Sequence, residues 1–111
     1  MNDKIFYTLW AEALSTTDKD AYVSDWALSS VWEDGPEAEI PQERIEYLGQ
    51  LWDDAHMSVK DICKAAGLTQ AGLAQRFGIP KRTVEDWCRG VAKCAPYIRL
   101  MMLECLGIIK R

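Results

Sequence analysis

The sequence predicts an all-α protein of about seven helices in two parts, and three observations carry that prediction. Apolar residues recur three and four apart along almost the whole chain of 111 residues, the spacing of one helical face. Capping residues, first-turn prolines and terminal glycines punctuate this pattern at intervals that suit short helices. No alternating stretch of useful length reads as a strand, and there are no internal repeats or low-complexity tracts.

Residues 3–14 make the first helix, with Ile5, Phe6, Leu9, Trp10 and Ala13 as its apolar stripe. Ser15-Thr16-Thr17 interrupts it. Thr17, with Asp20 three residues on, is a capping-box-like start for a helix over 18–32. The buried edge of that helix is Val23, Trp26, Ala27 and Ser30, flanked by Tyr22 and Trp32. Residues 33–39 place four carboxylates around the breaker Gly35-Pro36 and read as a loop. Pro41 opens a third helix at its first-turn position, with Glu43 and Glu46 near the positive end of its dipole. Ile45, Leu48, Leu51, Trp52 and Ala55 form its inner stripe, and the chain turns again around His56-Met57.

Ser58 with Asp61 introduces a short helix over 58–66, with Val59, Ile62, Cys63 and Ala66 inward and Gly67 as its stop. Next comes LTQAGLAQRFGIPKRTVEDWCRG, residues 68–90. Thr69 can cap a helix whose inner face is Leu73, Ala74 and Phe77. Gly78 suits the left-handed backbone that ends a helix sharply, and Ile79 plugs the turn. Pro80 stands where a second helix begins. That helix carries Val84 and Trp87 inward and leaves Lys81, Arg82, Thr83, Glu85, Asp86 and Arg89 outside. Two short helices joined by a glycine turn, the second with a long-armed polar outer face, is the build of a helix-turn-helix. Residues 91–95 connect to a last helix from Pro96 to about Leu106. It is polar only at Arg99 and Glu104, so it is expected to be covered on more than one side.

At Leu68-Thr69-Gln70, Leu73-Ala74, Gly78-Ile79, Thr83-Val84, Trp87 and Gly90 the chain resembles the lambda-repressor/Cro-like (Xre-type) DNA-binding family, without a gap over residues 68–90. The resemblance extends across residues 58–107 and leaves 1–57 unmatched. Pro80 departs from the small hydroxyl residue usual at that cap, and Cys88 from a commonly acidic position. The resemblance implies a lambda-repressor-like helix-turn-helix domain over 58–111, packed with a helical N-terminal extension over 1–57. The function it implies is a sequence-specific transcriptional regulator, a repressor, reading the major groove of double-stranded DNA with helix 80–89.

The resemblance also implies base contacts at Lys81, Arg82 and Asp86, with Thr83 alongside. Lys81 or Arg82 can donate to guanine O6 and N7, Asp86 can accept from cytosine N4, and Thr83 can meet a thymine methyl or a phosphate. Gln70 matches the family position that fixes a phosphate at the start of the preceding helix. Arg89 and Lys93, at and beyond the end of the reading helix, are expected on phosphates. Residues 58–77 also resemble the helix-turn-helix of tetracycline-repressor-type and lactose-repressor-type regulators. In that register helix 69–77 would enter the groove with Gln70, Ala71 and Gln75. The ending Trp87-x-x-Gly90 and the triple Pro80-Lys81-Arg82 favour the first register.

Charge divides the chain in the same place. The net charge of −4 is the balance of −10 over residues 1–57 and +6 over 58–111, an asymmetry that points to a nucleic-acid-binding half joined to one with another task. A single helix-turn-helix covers one half-site, so a homodimer is expected, with the over-apolar last helix and the Trp-rich N-terminal helices as its interface. The alternative is a protein-interaction module of antitoxin or phage-inhibitor type, in which the acidic, aromatic residues 1–57 engage a protein partner. The five Trp and four Tyr are read as core and interface anchors.

Catalysis has no support. One histidine, no Gly-x-Ser-x-Gly, no phosphate-cradling glycine loop and no His-Glu-x-x-His argue against an enzyme, and no cofactor or metal is implied. Asp53 and Asp54 diverge on their helix and read as a solvated face. His56 reads as a contact with a helix dipole. Cys63, Cys88, Cys94 and Cys105 include no Cys-x-x-Cys pair and are expected to be reduced thiols. With no run of about 18 apolar residues and no charged-then-apolar leader, a cytoplasmic protein without membrane contact is expected.

Overall fold

The computed structural model describes residues 3–32 and 39–110. Its described residues form seven α-helices: α1 Asp3–Ser15, α2 Lys19–Ala27, α3 Gln42–Ala55, α4 Val59–Ala66, α5 Gln70–Phe77, α6 Lys81–Arg89 and α7 Pro96–Cys105. A single 3-10 turn, Ser30–Trp32, follows α2, and no strand occurs among the described residues. The chain is all-α. Its contacts divide it into two compact units, Met1–His56 and Met57–Lys110. No helix among the described residues is long and apolar enough to cross a membrane.

In the N-terminal unit α1, α2 and α3 pack on one another. Phe6, Leu9, Trp10 and Ala13 of α1 meet a core completed by Tyr22 and Ala27 of α2 and by Leu48, Leu51 and Ala55 of α3. The Tyr22 hydroxyl donates to the Leu9 carbonyl at 2.9 Å. Burial first, then the charges of Tyr47 and Glu12, push this phenol far above its ordinary range, so it remains a donor. Trp52 donates its indole N–H to the Thr16 carbonyl at 2.9 Å. His56 stacks on that indole at 4.0 Å between centroids and donates Nε2–H to the Ala13 carbonyl at 2.7 Å. The histidine expected to meet only a helix dipole therefore ties the end of α3 to the end of α1.

Besides His56, and besides Ile45, which was expected on the inner stripe of α3 but is 37% exposed, four features of this unit differ from expectation. The second helix stops at Ala27 rather than running to residue 32. Its terminal carbonyls find other partners: the Trp32 indole donates to Trp26 O at 2.8 Å, and Arg44 Nη1 donates to Ala27 O at 3.0 Å while stacking 4.6 Å over the Trp32 ring. Asp18, not Thr17, caps α2, accepting from the Ala21 N–H at 3.2 Å. Of the expected buried edge and its flanks, Tyr22 is buried, Val23 is half-buried, and Ser30, beyond the end of the helix, is exposed. Pro41 is the N-cap of α3 rather than its first residue, because its ψ of 140 is extended while its carbonyl accepts from Arg44 N. The loop expected over 33–39 lies, apart from Glu39, outside the described residues.

Asp54 is the fourth surprise. It is not on a solvated face but 4% exposed, held by a 2.9 Å hydrogen bond from Gln50 Nε2 to its Oδ1. Burial raises its pKa, the Gln50 hydrogen bond lowers it, and neighbouring Asp53 raises it, with a net upward shift. A carboxyl raised on folding binds its proton more tightly in the native state. Its contribution to stability is full below the unfolded value of about 4 and is lost as pH rises through the higher folded value. Asp54→Asn keeps an acceptor for Gln50 and removes the charge. Melts of the two proteins across mildly acidic to neutral pH should converge at low pH and separate toward neutrality, with the asparagine variant more stable there. Parallel curves would contradict this.

Gly49 sits inside α3 without need of its flexibility. A Cβ there would meet only the Lys19 side chain, at 3.4 Å from Cε, an ordinary contact. Gly49→Ala is expected to stabilise the unit by about 0.5–1 kcal/mol, the helix-interior difference between the two residues. A chemical denaturation midpoint that fails to rise would refute it.

The C-terminal unit is built from α4 to α7. Ser58 and Asp61 complete a full capping box at the start of α4, with both hydrogen bonds at 3.1 Å. Gly67 ends that helix at φ +68, a left-handed position that L side chains rarely adopt. Val59, Ile62 and Cys63 of α4, Leu73 and Ala74 of α5 and Val84 of α6 are buried, and α4, α5 and α6 pack pairwise. Leu100, Met102 and Leu103 of α7 are buried, and Ile109 beyond it. Arg99 of α7, half-buried, donates Nη1–H to the Met57 carbonyl at 2.9 Å. Tyr97 and Met101 remain 67% and 62% exposed, with Cys105 exposed one turn further, so the expected covering of α7 on several sides is not complete within one chain.

Candidate nucleic-acid interface

The hydroxyl of Thr69 accepts from the Gly72 N–H at 2.9 Å and starts α5, placing Gln70 as its first residue. Leu73 and Ala74 anchor the inner side of α5, so Ala71 and Gln75 face solvent. Gly78 adopts φ +65 and ends the helix, and Ile79 N–H closes the turn on the Ala74 carbonyl at 2.9 Å. The chain then reverses into α6. Pro80 is the N-cap of α6, one residue earlier than a first-turn proline, since its ψ of 133 is extended. Its carbonyl accepts from Thr83 N–H at 3.0 Å, and no side chain caps this end.

Burial of Val84 fixes the rotation of α6. Lys81 and Arg82, in its first turn, are exposed and form no ion pair with any described residue. Thr83 and Asp86 are half-exposed, while Arg89 is exposed at the last turn. Arg89 Nη2 donates to Asp86 Oδ1 at 2.5 Å, with side-chain exposures of 62% and 24%. The Asp86 carboxylate, expected to accept from a base, therefore already has a partner in the free protein. Lys93 is exposed in the bend that follows α6. Gln70 stands on the neighbouring helix, half-exposed at the start of α5.

Five of the seven predicted site residues thus share one helix, and α6 is an amphipathic rod with its cations outward. One member was missed. Glu85 lines a shallow surface dip of about 380 Å³ with Arg82 and Arg89. Its position three residues after Arg82 carried the signal, because residues at that spacing share a helical face. Behind α6 the Cys63 thiol of α4 and the Cys88 thiol of α6 interact, and burial pushes both above their ordinary range. All four cysteines are free thiols. This pair is protonated packing that holds the inner side of α6 against α4.

Comparisons with known proteins find no matching family model, no matching curated protein and no matching solved structure.

Proposed function

We propose that this chain is a sequence-specific DNA-binding regulator of repressor type that lays α6 in the major groove of duplex DNA as a homodimer. The observation that carries the reading is the state of Lys81 and Arg82: two exposed cations that form no ion pair with a described residue, on the first turn of a helix whose opposite side is anchored by Val84. A major groove accepts one helix, and long donors near its N-terminus reach guanine edges. Asp86 and Arg89 act together in this reading. The guanidinium holds the carboxylate in place, and on DNA it can exchange that partner for a phosphate while Asp86 turns to cytosine N4. Thr83 stands three residues before Asp86, on the same side of α6. Gln70 at the start of α5 and Lys93 in the bend after α6 supply phosphate contacts. The charge of +6 over residues 58–111 supports the same reading, since phosphate neutralisation supplies most of the non-specific affinity.

Dimerisation follows from the half-site argument and from the exposed edge of Tyr97, Met101 and Cys105, four residues apart along α7. Selection of bound sequences from a random duplex library tests the proposal. The expected product is a two-fold-symmetric site with half-site centres about one DNA turn apart and at least one guanine per half. Recovery of no sequence, or binding indifferent to salt, would overturn the regulator reading.

A further inference from the structure

The N-terminal unit carries a groove that neither its core nor DNA binding employs. It runs between the outer sides of α2 and α3, holds about 540 Å³ and is open to solvent. Val23 and Ile45 give it apolar walls, with Ile45 37% exposed, and Gly49 leaves its middle without a side chain. The fold does not demand that glycine, because a Cβ there would meet only a side chain at ordinary contact distance. Asp20, Glu46 and Asp53 stand among the lining residues. Among the described residues the only lining cation is Lys19, whose ammonium pairs with Asp53 at 3.0 Å, with both side chains close to half exposed. An exposed pair of this kind is worth little and exchanges readily for another cation.

From these residues we infer that the groove between α2 and α3 docks a lysine- or arginine-bearing amphipathic helix of another protein. From Ile45 to Asp53 the α3 wall extends about 12 Å, two turns of a helix. An apolar side chain of the partner fits over Gly49 between Val23 and Ile45, and its basic neighbours meet Glu46, Asp20 and the Asp53 that Lys19 releases. Helix-in-groove recognition uses this combination, with apolar anchors for affinity and charges for orientation. The excess of carboxylates over residues 1–57, −10 in all, selects a cationic partner and repels duplex DNA. The inference is independent of the DNA-binding proposal, and duplex affinity measured on the same variants separates the two.

The test is a titration of the isotope-labelled full chain with a synthetic leucine/lysine amphipathic helix, followed by amide chemical shifts. Shifts confined to the groove-lining stretches of α2 and α3 are expected, with micromolar affinity and none for a leucine/glutamate counterpart. Glu46→Lys should weaken binding about tenfold or more through like-charge repulsion, whereas Glu12→Lys on α1 should change it less than about twofold. Gly49→Leu, which fills the floor, should weaken binding while leaving the helical content and the Glu46 dependence intact. Equal losses for Glu46→Lys and Glu12→Lys would mean diffuse charge attraction and overturn the inference. Equal shifts with spermine would mark a small-polycation site instead and also overturn it. So would self-association of the free chain abolished by Gly49→Leu, which would make a second copy the occupant.

Discussion

Arg82→Ala lowers affinity for the selected duplex about tenfold to a hundredfold, and Gln75→Ala changes it by no more than about twofold. The first magnitude is that of one bidentate base contact, about 1–3 kcal/mol. Arg82 is exposed on the first turn of α6 and has no competing ion pair among the described residues, so the alanine variant loses a contact and releases none of these in exchange. Gln75, exposed on α5, is the corresponding test of the alternative register. Specificity should relax at the guanine that Arg82 reads while other positions keep their preference. Lys93→Ala, by contrast, should weaken binding alike for all sequences and reduce the salt slope by about one. Fluorescence anisotropy over a salt series measures all three. Loss of binding in Gln75→Ala with Arg82→Ala unaffected would assign the groove to α5.

Leu73→Ala should destabilise the C-terminal unit by about 2–5 kcal/mol, the range for emptying a fully buried leucine site. Leu73 has no exposure and sits on α5, which packs against both α4 and α6. A unit of this size has only about 3–8 kcal/mol of stability to lose. Hydrogen exchange is the suitable measurement because it reads the two units separately. Amides of α4, α5 and α6 should lose protection by roughly a hundredfold, while those of α1 and α3 keep theirs. Duplex binding should fall with the population of folded α6. Unchanged protection around Leu73 would show that the site collapses onto the gap, contrary to what its full burial implies.

Much of the second unit was legible in its residues because its signals are local. The capping box of Ser58 and Asp61, the Thr69 cap, the left-handed glycines at 67, 78 and 90 and the burial of Val84 each depend on neighbours within four or five positions. The exposed cations of α6 follow from Val84 by helical periodicity alone. In the first unit the decisive interactions join distant residues. The end of α2 is set by Trp32 and by Arg44, seventeen residues from the carbonyl it holds. Asp54 is buried by the packing of its unit, which no spacing rule reveals for two adjacent aspartates. His56 finds its partner forty-three residues away. The groove left its trace only in Gly49, a helix-interior glycine that reads as a weak helix former until the opposite wall is seen.

By itself the sequence determined that the chain is helical, where most helices begin and end, and which face of α6 meets water. Periodicity and capping are one-dimensional, and they act before any tertiary contact forms. Tertiary structure alone decided that Asp86 is already held by Arg89, that Tyr97 and Met101 stay uncovered, and that an acidic groove lies between α2 and α3. Those outcomes depend on rotamers and on the packing of one helix against another. Several arrangements satisfy the same apolar pattern, and only close packing selects among them.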